Sequence, residues 1–290
     1  MTAGGGGGQP AAQVESEILA LERVGDYFHL ALAAPGVAER VRPGHFVAVA
    51  VGGAESAMLL RRAFSIYRAD PRAGTIEVVF AVHGRGTEWL AGTRRGDHVN
   101  IIAPLGRPFV LPTDPVPCAL VAGGYGSAPM FELGRRLRAR GCRVDMVLGA
   151  ATETRLFGVL EARRAADTVV TTTVDGSAGE KGLVTGPLAR ILAEHRTAVV
   201  YACGPMGMLA AVSALAADAG AHSQCAVEES MACGIGVCMT CVLPVIGEDG
   251  VTRMVRSCVE GPVFFGDRVR WADVGTVPPD TFGAPQVGGH

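Results

Sequence analysis

Four cysteines near the C-terminus constrain this chain more than any other feature. Cys233-Gly-Ile-Gly-Val-Cys238-Met-Thr-Cys241 is followed, after a gap of sixteen residues, by Cys258. Spacings of four and then two residues place three thiols on one tight loop, and a fourth arrives from farther along the chain. Two irons bridged by sulfide need four thiolates, and this spacing suits a 2Fe–2S cluster. Gly234 and Gly236 let the backbone wrap and turn amide donors toward the sulfurs. Structural zinc is the main alternative, but it favours paired CxxC knuckles, and only one CxxC is present. Disulfides are a poor fit, because the chain is large and its N-terminus has no basic start or apolar core of an export signal. Cys118, Cys142, Cys203 and Cys225 are expected to pack as small apolar side chains.

The 290 residues suggest about two domains and an appendix. Apolar residues make up 49% and charged residues 19%, which excludes a mainly disordered chain. The net charge of −2 provides no electrostatic footprint for nucleic acid or an anionic membrane. No apolar run approaches the ~18–20 residues of a membrane span. A cytoplasmic protein is therefore expected.

From Val14 to about Pro112 short strands alternate with turns. Residues 45–51, 63–67, 75–82 and 98–102 read as strands, with turns at Pro43-Gly44 and Arg95-Gly96-Asp97. That pattern predicts a β-barrel or sandwich, and a barrel is the expected form. Thr87 is the expected N-cap of one interrupting helix. From about Pro115 the pattern changes to strands (118–122, 143–148, 168–174, 198–202) alternating with helices (128–140, 188–195, 206–219). This predicts a parallel sheet with right-handed crossovers. The expected organisation is multidomain: a tail over 1–12, a barrel over 13–113, a nucleotide-binding α/β domain over 114–224, a small cluster segment over 225–271 and a Pro/Gly-rich tail over 272–290.

Each unit carries one further motif. Arg62-Ala63-Phe64-Ser65 opens a barrel strand, where an arginine suits a flavin phosphate, Ser65 the ribityl or ring edge, and Phe64 the isoalloxazine face. Gly84-Arg85-Gly86-Thr87 opens the helix, where free amides favour a pyrophosphate. Singly these read as a surface arginine and an ordinary turn; together they point to FAD. In the α/β unit, Gly123, Gly124 and Gly126 lie between a strand and a helix, a place for close approach to a dinucleotide, although the spacing departs from strict GxGxxG. Cys203, Gly204 and Pro205 follow a later strand and suit a nicotinamide. Glu153 favours NADH by accepting from a ribose 2′-hydroxyl, whereas Arg155 argues for NADPH.

Flavin motif, nucleotide motif and 2Fe–2S loop, in that order, resemble the ferredoxin-reductase superfamily. Glu228-Glu229-Ser230-Met231-Ala232-Cys233 and Cys258-Val-Glu-Gly-Pro-Val-Phe264 look like the electron-transfer subunits of NAD-dependent dihydroorotate dehydrogenases, over about residues 14–271. The resemblance implies FAD contacts at Arg62, Ala63, Phe64, Ser65, at Val79, Phe80 and Ala81, and at Gly86 and Thr87. It implies cluster ligands at Cys233, Cys238, Cys241 and Cys258. Ala63 stands where the family usually has proline, and Ala81 where it often has a basic residue. The implied partner is an FMN-bearing catalytic subunit in a two-plus-two heterotetramer, with electrons passing from FMN through the cluster and FAD to NAD+. No acid–base residue is required. A reductase subunit serving an oxygenase or a hydrogenase complex shares the three-part order, and a zinc-bound scaffold with degenerate nucleotide sites is the non-catalytic alternative. Only about 50 residues surround the cysteines, too few for an attached ferredoxin domain.

Overall fold

The computed structural model describes residues 11–53 and 56–284. The expected tail over 1–12 lies outside that range except for Ala11 and Ala12, and Ala12 opens the first strand. Residues 285–290 of the other expected tail lie outside it too.

Six strands close a barrel: β1 (Ala12–Val24), β2 (Tyr27–Ala33), β3 (Phe46–Val49), β4 (Arg62–Asp70), β5 (Thr75–Phe80) and β6 (His98–Leu105), in the order β1-β2-β5-β4-β3-β6. Period-two alternation fills the interior. Leu30 and Leu32, Ile76, Val78 and Phe80, and Val99, Ile101 and Ala103 point inward and are buried together. The helix α1 (Arg85–Ala91) adds Leu90 to this core. Thr87 is not its cap. The helix starts three residues earlier, after Gly84, and Thr87 works from the first turn: its hydroxyl accepts from the His83 amide (2.9 Å) and donates to the Gly84 carbonyl (3.0 Å).

The second unit contains β7 (Cys118–Gly123), α2 (Ala128–Ala139), β8 (Val144–Ala150), α3 (Val159–Ala165), β9 (Thr168–Thr173), β10 (Glu180–Lys181), α4 (Thr185–His195), β11 (Val199–Cys203), α5 (Met206–Asp218) and β12 (His222–Ala226). The C-terminal stretch adds β13 (Val242–Ile246), β14 (Thr252–Arg256) and β15 (Val263–Phe265). The large sheet runs β10-β9-β8-β7-β11-β12-β15. It is parallel up to β12, and β15 joins β12 antiparallel. The chain leaves β7 toward β8 and later returns on its other side as β11. That reversal opens a crevice at the strands' carboxyl ends, where open α/β sheets bind ligands. Gly123 and Cys203 both stand there.

The C-terminal stretch is tied into both earlier units. Leu243, Phe264 and Val269 are buried with Val200, Leu209 and Val212 of the α/β unit. Cys241 and Cys258 are buried with Phe46, Ala48 and Leu105 of the barrel. β13 and β14 form the hairpin that spans the sixteen-residue gap. Beyond it the Pro- and Gly-rich residues serve as turns that fold back: Arg270 bonds Asp273 and Asp280, and the Phe282 amide donates to the Thr252 carbonyl. Among the described residues no helix is long and apolar enough to cross a membrane.

Candidate functional site

The barrel strands β4 and β5 bring the first motif to a cavity of about 250 Å³ facing the α/β unit. Arg62, Ala63, Phe64 and Ser65 line it from β4, and Val79, Phe80 and Ala81 from the end of β5. Thr87, Gly126, Cys203 and Gly204 complete the sequence-expected set on this wall. Gly86 is not on the wall but underlies it, because an added Cβ there would stand 2.5 Å from Arg62 Nε. Arg62 donates to the Leu60 carbonyl at 2.7 Å. Its guanidinium lies over the start of α1, which concentrates positive charge and free amides on one spot. That combination fits a phosphate.

A second cavity, of about 560 Å³, opens at the sheet's carboxyl edge and holds Gly123, Gly124 and Pro205. The two nucleotide motifs interlock. A Cβ on Gly126 would sit 2.8 Å from the Cys203 carbonyl oxygen, and one on Gly123 would sit 2.9 Å from Pro205 Cδ. Larger residues would force the strand ends apart. Thr172 of β9 lines the cavity, is 1% exposed, and its hydroxyl has no hydrogen-bond partner. A buried hydroxyl left unpaired is costly, and a polar atom of a ligand in this cavity would give it a partner. The cavity thus fits a nucleotide. Arg155 lines it, whereas Glu153 does not. Burial pushes the Cys203 thiol up to about 12, so it is a neutral wall and not a nucleophile.

Sequence reasoning missed several lining residues. Tyr27, Gly149 and residues 182–185 reach the nucleotide cavity from elements distant in sequence, with no local motif to mark them. Phe46, His83 and Met231 reach the first cavity in the same way.

The cysteine loop behaves as its glycines imply. Gly234 and Gly236 adopt φ of +72° and +83°. The Ile235 and Val237 amides donate to Cys233 Sγ at 3.5 and 3.4 Å, and Thr240 Oγ1 donates to Cys238 Sγ at 3.1 Å. Hydrogen bonds from Thr240, then the interaction with Cys233, hold Cys238 down to about 6. Burial, then the neighbouring Cys241, pushes Cys258 up to about 12. Among the described residues no three His, Cys, Asp or Glu side chains are drawn into one closed metal site. The donor set itself, four thiols with amides already aimed at sulfur, fits an iron–sulfur cluster. Cys238 is exposed while Cys241 and Cys258 are buried against the barrel.

A flavin-binding type of barrel, a nucleotide-binding sheet and a four-cysteine motif define an iron–sulfur flavoprotein oxidoreductase of ferredoxin-reductase fold. The family comparisons agree unit by unit. Residues 15–108 match the siderophore-interacting FAD-binding domain, 120–214 the oxidoreductase NAD-binding domain, and 228–270 the iron–sulfur cluster binding domain of dihydroorotate dehydrogenase B. FAD, NAD and an iron–sulfur cluster are thus this chain's cofactors. Its relatives include the dihydroorotate dehydrogenase B (NAD(+)) electron transfer subunits of Desulforamulus reducens and Geobacillus kaustophilus. The first is 35% identical over 89% of this chain and 98% of that one. The second is 36% identical over 89% and 96%. The chain belongs to the family of dihydroorotate dehydrogenase B (NAD(+)) electron transfer subunits. Among solved structures, an NADH-dependent reduced ferredoxin–NADP oxidoreductase superposes with a TM-score of 0.79 at 28% identity, over 89% of this chain and 91% of that one. The cytochrome b5 reductase domain of Ulva prolifera nitrate reductase shares the fold, with a TM-score of 0.59 at 17% identity, over 72% and 93%.

Proposed function

We propose that this chain passes electrons between NAD+ and an FMN-containing dihydroorotate dehydrogenase catalytic subunit, as part of pyrimidine biosynthesis. FAD occupies the cavity of β4 and β5, NAD(H) the crevice beside β7 and β11, and a 2Fe–2S cluster is held by Cys233, Cys238, Cys241 and Cys258. One observation carries this reading. Phe46 and Met231 line the flavin cavity and belong to the apolar cluster that buries Cys241 and Cys258, so the two proposed redox sites adjoin.

FAD supplies the step between two-electron hydride exchange and one-electron transfer to a cluster. The protein's own residues do the rest. Arg62 supports the phosphates and Gly86 leaves it room. Ser65 and Ala81 would border the ring system, and Gly126 and Gly204, which line the same cavity, keep the two strand ends close. The Ile235 and Val237 amides and the Thr240 hydroxyl stabilise thiolate charge. No side chain is needed as an acid or base.

The partner surface follows from exposure. Ile235, Val237, Met239 and Val259 are apolar, exposed and grouped around Cys238. Such a patch suits a protein interface. The catalytic subunit covers it, in a two-plus-two assembly, and brings its FMN to the cluster's exposed side. Eight unpaired cysteines suit a reducing, cytoplasmic setting.

Anaerobic reconstitution tests the proposal. The chain is mixed with the FMN-bearing subunit from the same genome, and NAD+ reduction by dihydroorotate is followed. Activity needing both chains, and lost with Cys238→Ser while FAD is retained, is the expected result. NADH reducing the chain's own flavin without any coupling to dihydroorotate sinks the partner assignment. It leaves a reductase serving another acceptor, the reading that the likeness to the ferredoxin–NADP oxidoreductase favours.

A further inference from the structure

Of all the described residues lining the two cavities, only Tyr125 and Glu228 line both. They are joined to each other: the Tyr125 hydroxyl donates to Glu228 Oε1 at 2.6 Å. The bond crosses from the β7–α2 turn to the segment leaving β12. The two cavities therefore share one hydrogen-bonded pair, set beside the interlocked ends of β7 and β11. Hydride transfer needs the reacting atoms about 3–3.5 Å apart, so the nicotinamide must pass this boundary to reach the flavin ring.

The pair is built to open. Tyr125 sits between Gly124, at φ +56°, and Gly126, on a short 3-10 turn. Glu228 is exposed, so it regains water when released. The tyrosine ring already rests edge-on against Tyr27 (centroids 5.8 Å apart, planes at 69°). Tyr27 is itself fixed, its hydroxyl donating to the Arg155 carbonyl at 2.9 Å. A charge-assisted hydrogen bond is strong enough to hold the closed form and weak enough for a bound dinucleotide to displace.

We propose that the Tyr125–Glu228 pair is a gate between the flavin and nucleotide cavities, closed in the resting protein and displaced by the nicotinamide ring. This rests on assigning FAD and NAD(H) to the two cavities as above. In the closed form the gate keeps water and small oxidants from the flavin on the nucleotide side. Opening it subtracts from NAD(H) affinity, because the apparent dissociation constant rises as the open fraction falls.

The test uses the anaerobic holoprotein with Tyr125→Phe, Glu228→Ala and the double variant. Phenylalanine keeps the ring and its Tyr27 contact and deletes only the bond. NADH affinity is read from the saturation of flavin reduction in stopped flow, and flavin exposure from iodide quenching of its fluorescence. The expected result is tighter NADH binding in each single variant, by about tenfold, with no further gain in the double variant. Iodide quenching should rise in all three. Unchanged affinity and quenching, or weaker NADH binding in Tyr125→Phe, overturns the gate. Two controls isolate the underlying assignment. If Arg62→Ala leaves FAD affinity unchanged and Thr172→Val leaves NADH affinity unchanged, the cavities themselves are misassigned, whatever the Tyr125 variants do.

Discussion

Arg62 lies across Gly86. A methyl group on that glycine would stand 2.5 Å from Arg62 Nε and 2.7 Å from its Cζ. The arginine belongs to a barrel strand and the glycine to the first turn of α1, so the contact brings a guanidinium to the start of the helix. The clash would fall on the far end of a flexible side chain and not on backbone.

Gly86→Ala should therefore leave the fold intact and expel Arg62 from its place. FAD affinity should fall at least about tenfold, the worth of one charge-assisted contact. The melting temperature of the apoprotein should move by less than about 4 °C. Flavin fluorescence titration and thermal melts of the apoprotein measure the two separately. Unaltered FAD affinity would show that Arg62 does not face a phosphate.

Gly106→Ala should act in the opposite way. Gly106 has φ +78°, and a Cβ there would meet Pro262 Cδ at 2.5 Å, the Gly261 carbonyl oxygen at 2.9 Å and Phe46 Cε1 at 2.9 Å. Here the obstruction is backbone and a packed ring, and the φ is unfavourable for alanine. The barrel end and the C-terminal stretch meet at this point, so the substitution pries them apart. A loss of roughly 2–3 kcal/mol in stability is expected, together with poor iron incorporation. Iron content per chain after anaerobic purification, set against FAD content, distinguishes this from general misfolding.

The motifs that were legible in the sequence were the local ones. Cys233 to Cys241, Arg62 to Ser65 and Gly123 to Gly126 each lie on one turn or strand end, where residue type and spacing carry the chemistry. β1 was not distinguishable as a strand, because Glu15, Glu17, Leu19, Leu21 and Glu22 have helical propensity, and only pairing with β2 and β6 overrides it. The tie of Phe264 into the α/β core was equally hidden. β15 is three residues long, too short for a periodic signal, and it exists because β12 presents an open edge. Thr172, and the pairing of Tyr125 with Glu228, come to a cavity only through the fold, and no spacing in the chain encodes that.

Asp145 offers a pH prediction away from the cofactors. Its side chain is fully buried in β8 and accepts from Arg143 (3.2 and 3.1 Å), Thr168 and His195 Nδ1 (2.9 Å). Burial alone pushes this carboxyl up. The hydrogen bonds from Arg143 and Thr168 and the charges of Arg143 and His195 outweigh it and hold the carboxyl below its ordinary 3.8. A depressed value in the folded state means that the stabilisation is complete above the unfolded value. It is lost as pH falls through the folded one. Asp145→Asn should be less stable than the parent by roughly 1–3 kcal/mol at neutral pH. The gap should close as pH drops below about 4. Chemical denaturation from pH 3 to pH 7 checks this; a gap that stays constant over that range would contradict it.

Thr172→Val should separate binding from stability by moving them in opposite directions. Valine has nearly the shape of threonine and lacks the hydroxyl. In the protein without ligand that hydroxyl is buried and unpaired, 3.2 Å from where a Cβ on Gly149 would stand. Removing it relieves an unmet desolvation cost, so the ligand-free protein should gain up to about 1 kcal/mol. If the hydroxyl meets a polar atom of the dinucleotide, the same change should weaken NADH binding by roughly tenfold. FAD content and the spectrum of the iron–sulfur centre should not change, since neither site touches β9. A general packing defect would lower stability and affinity together. A hydroxyl with no part in binding would raise stability and leave the NADH dissociation constant alone. Only a threonine positioned for the nucleotide gives a higher melting temperature with weaker NADH binding, and titration calorimetry with thermal melts on the same preparation reads both.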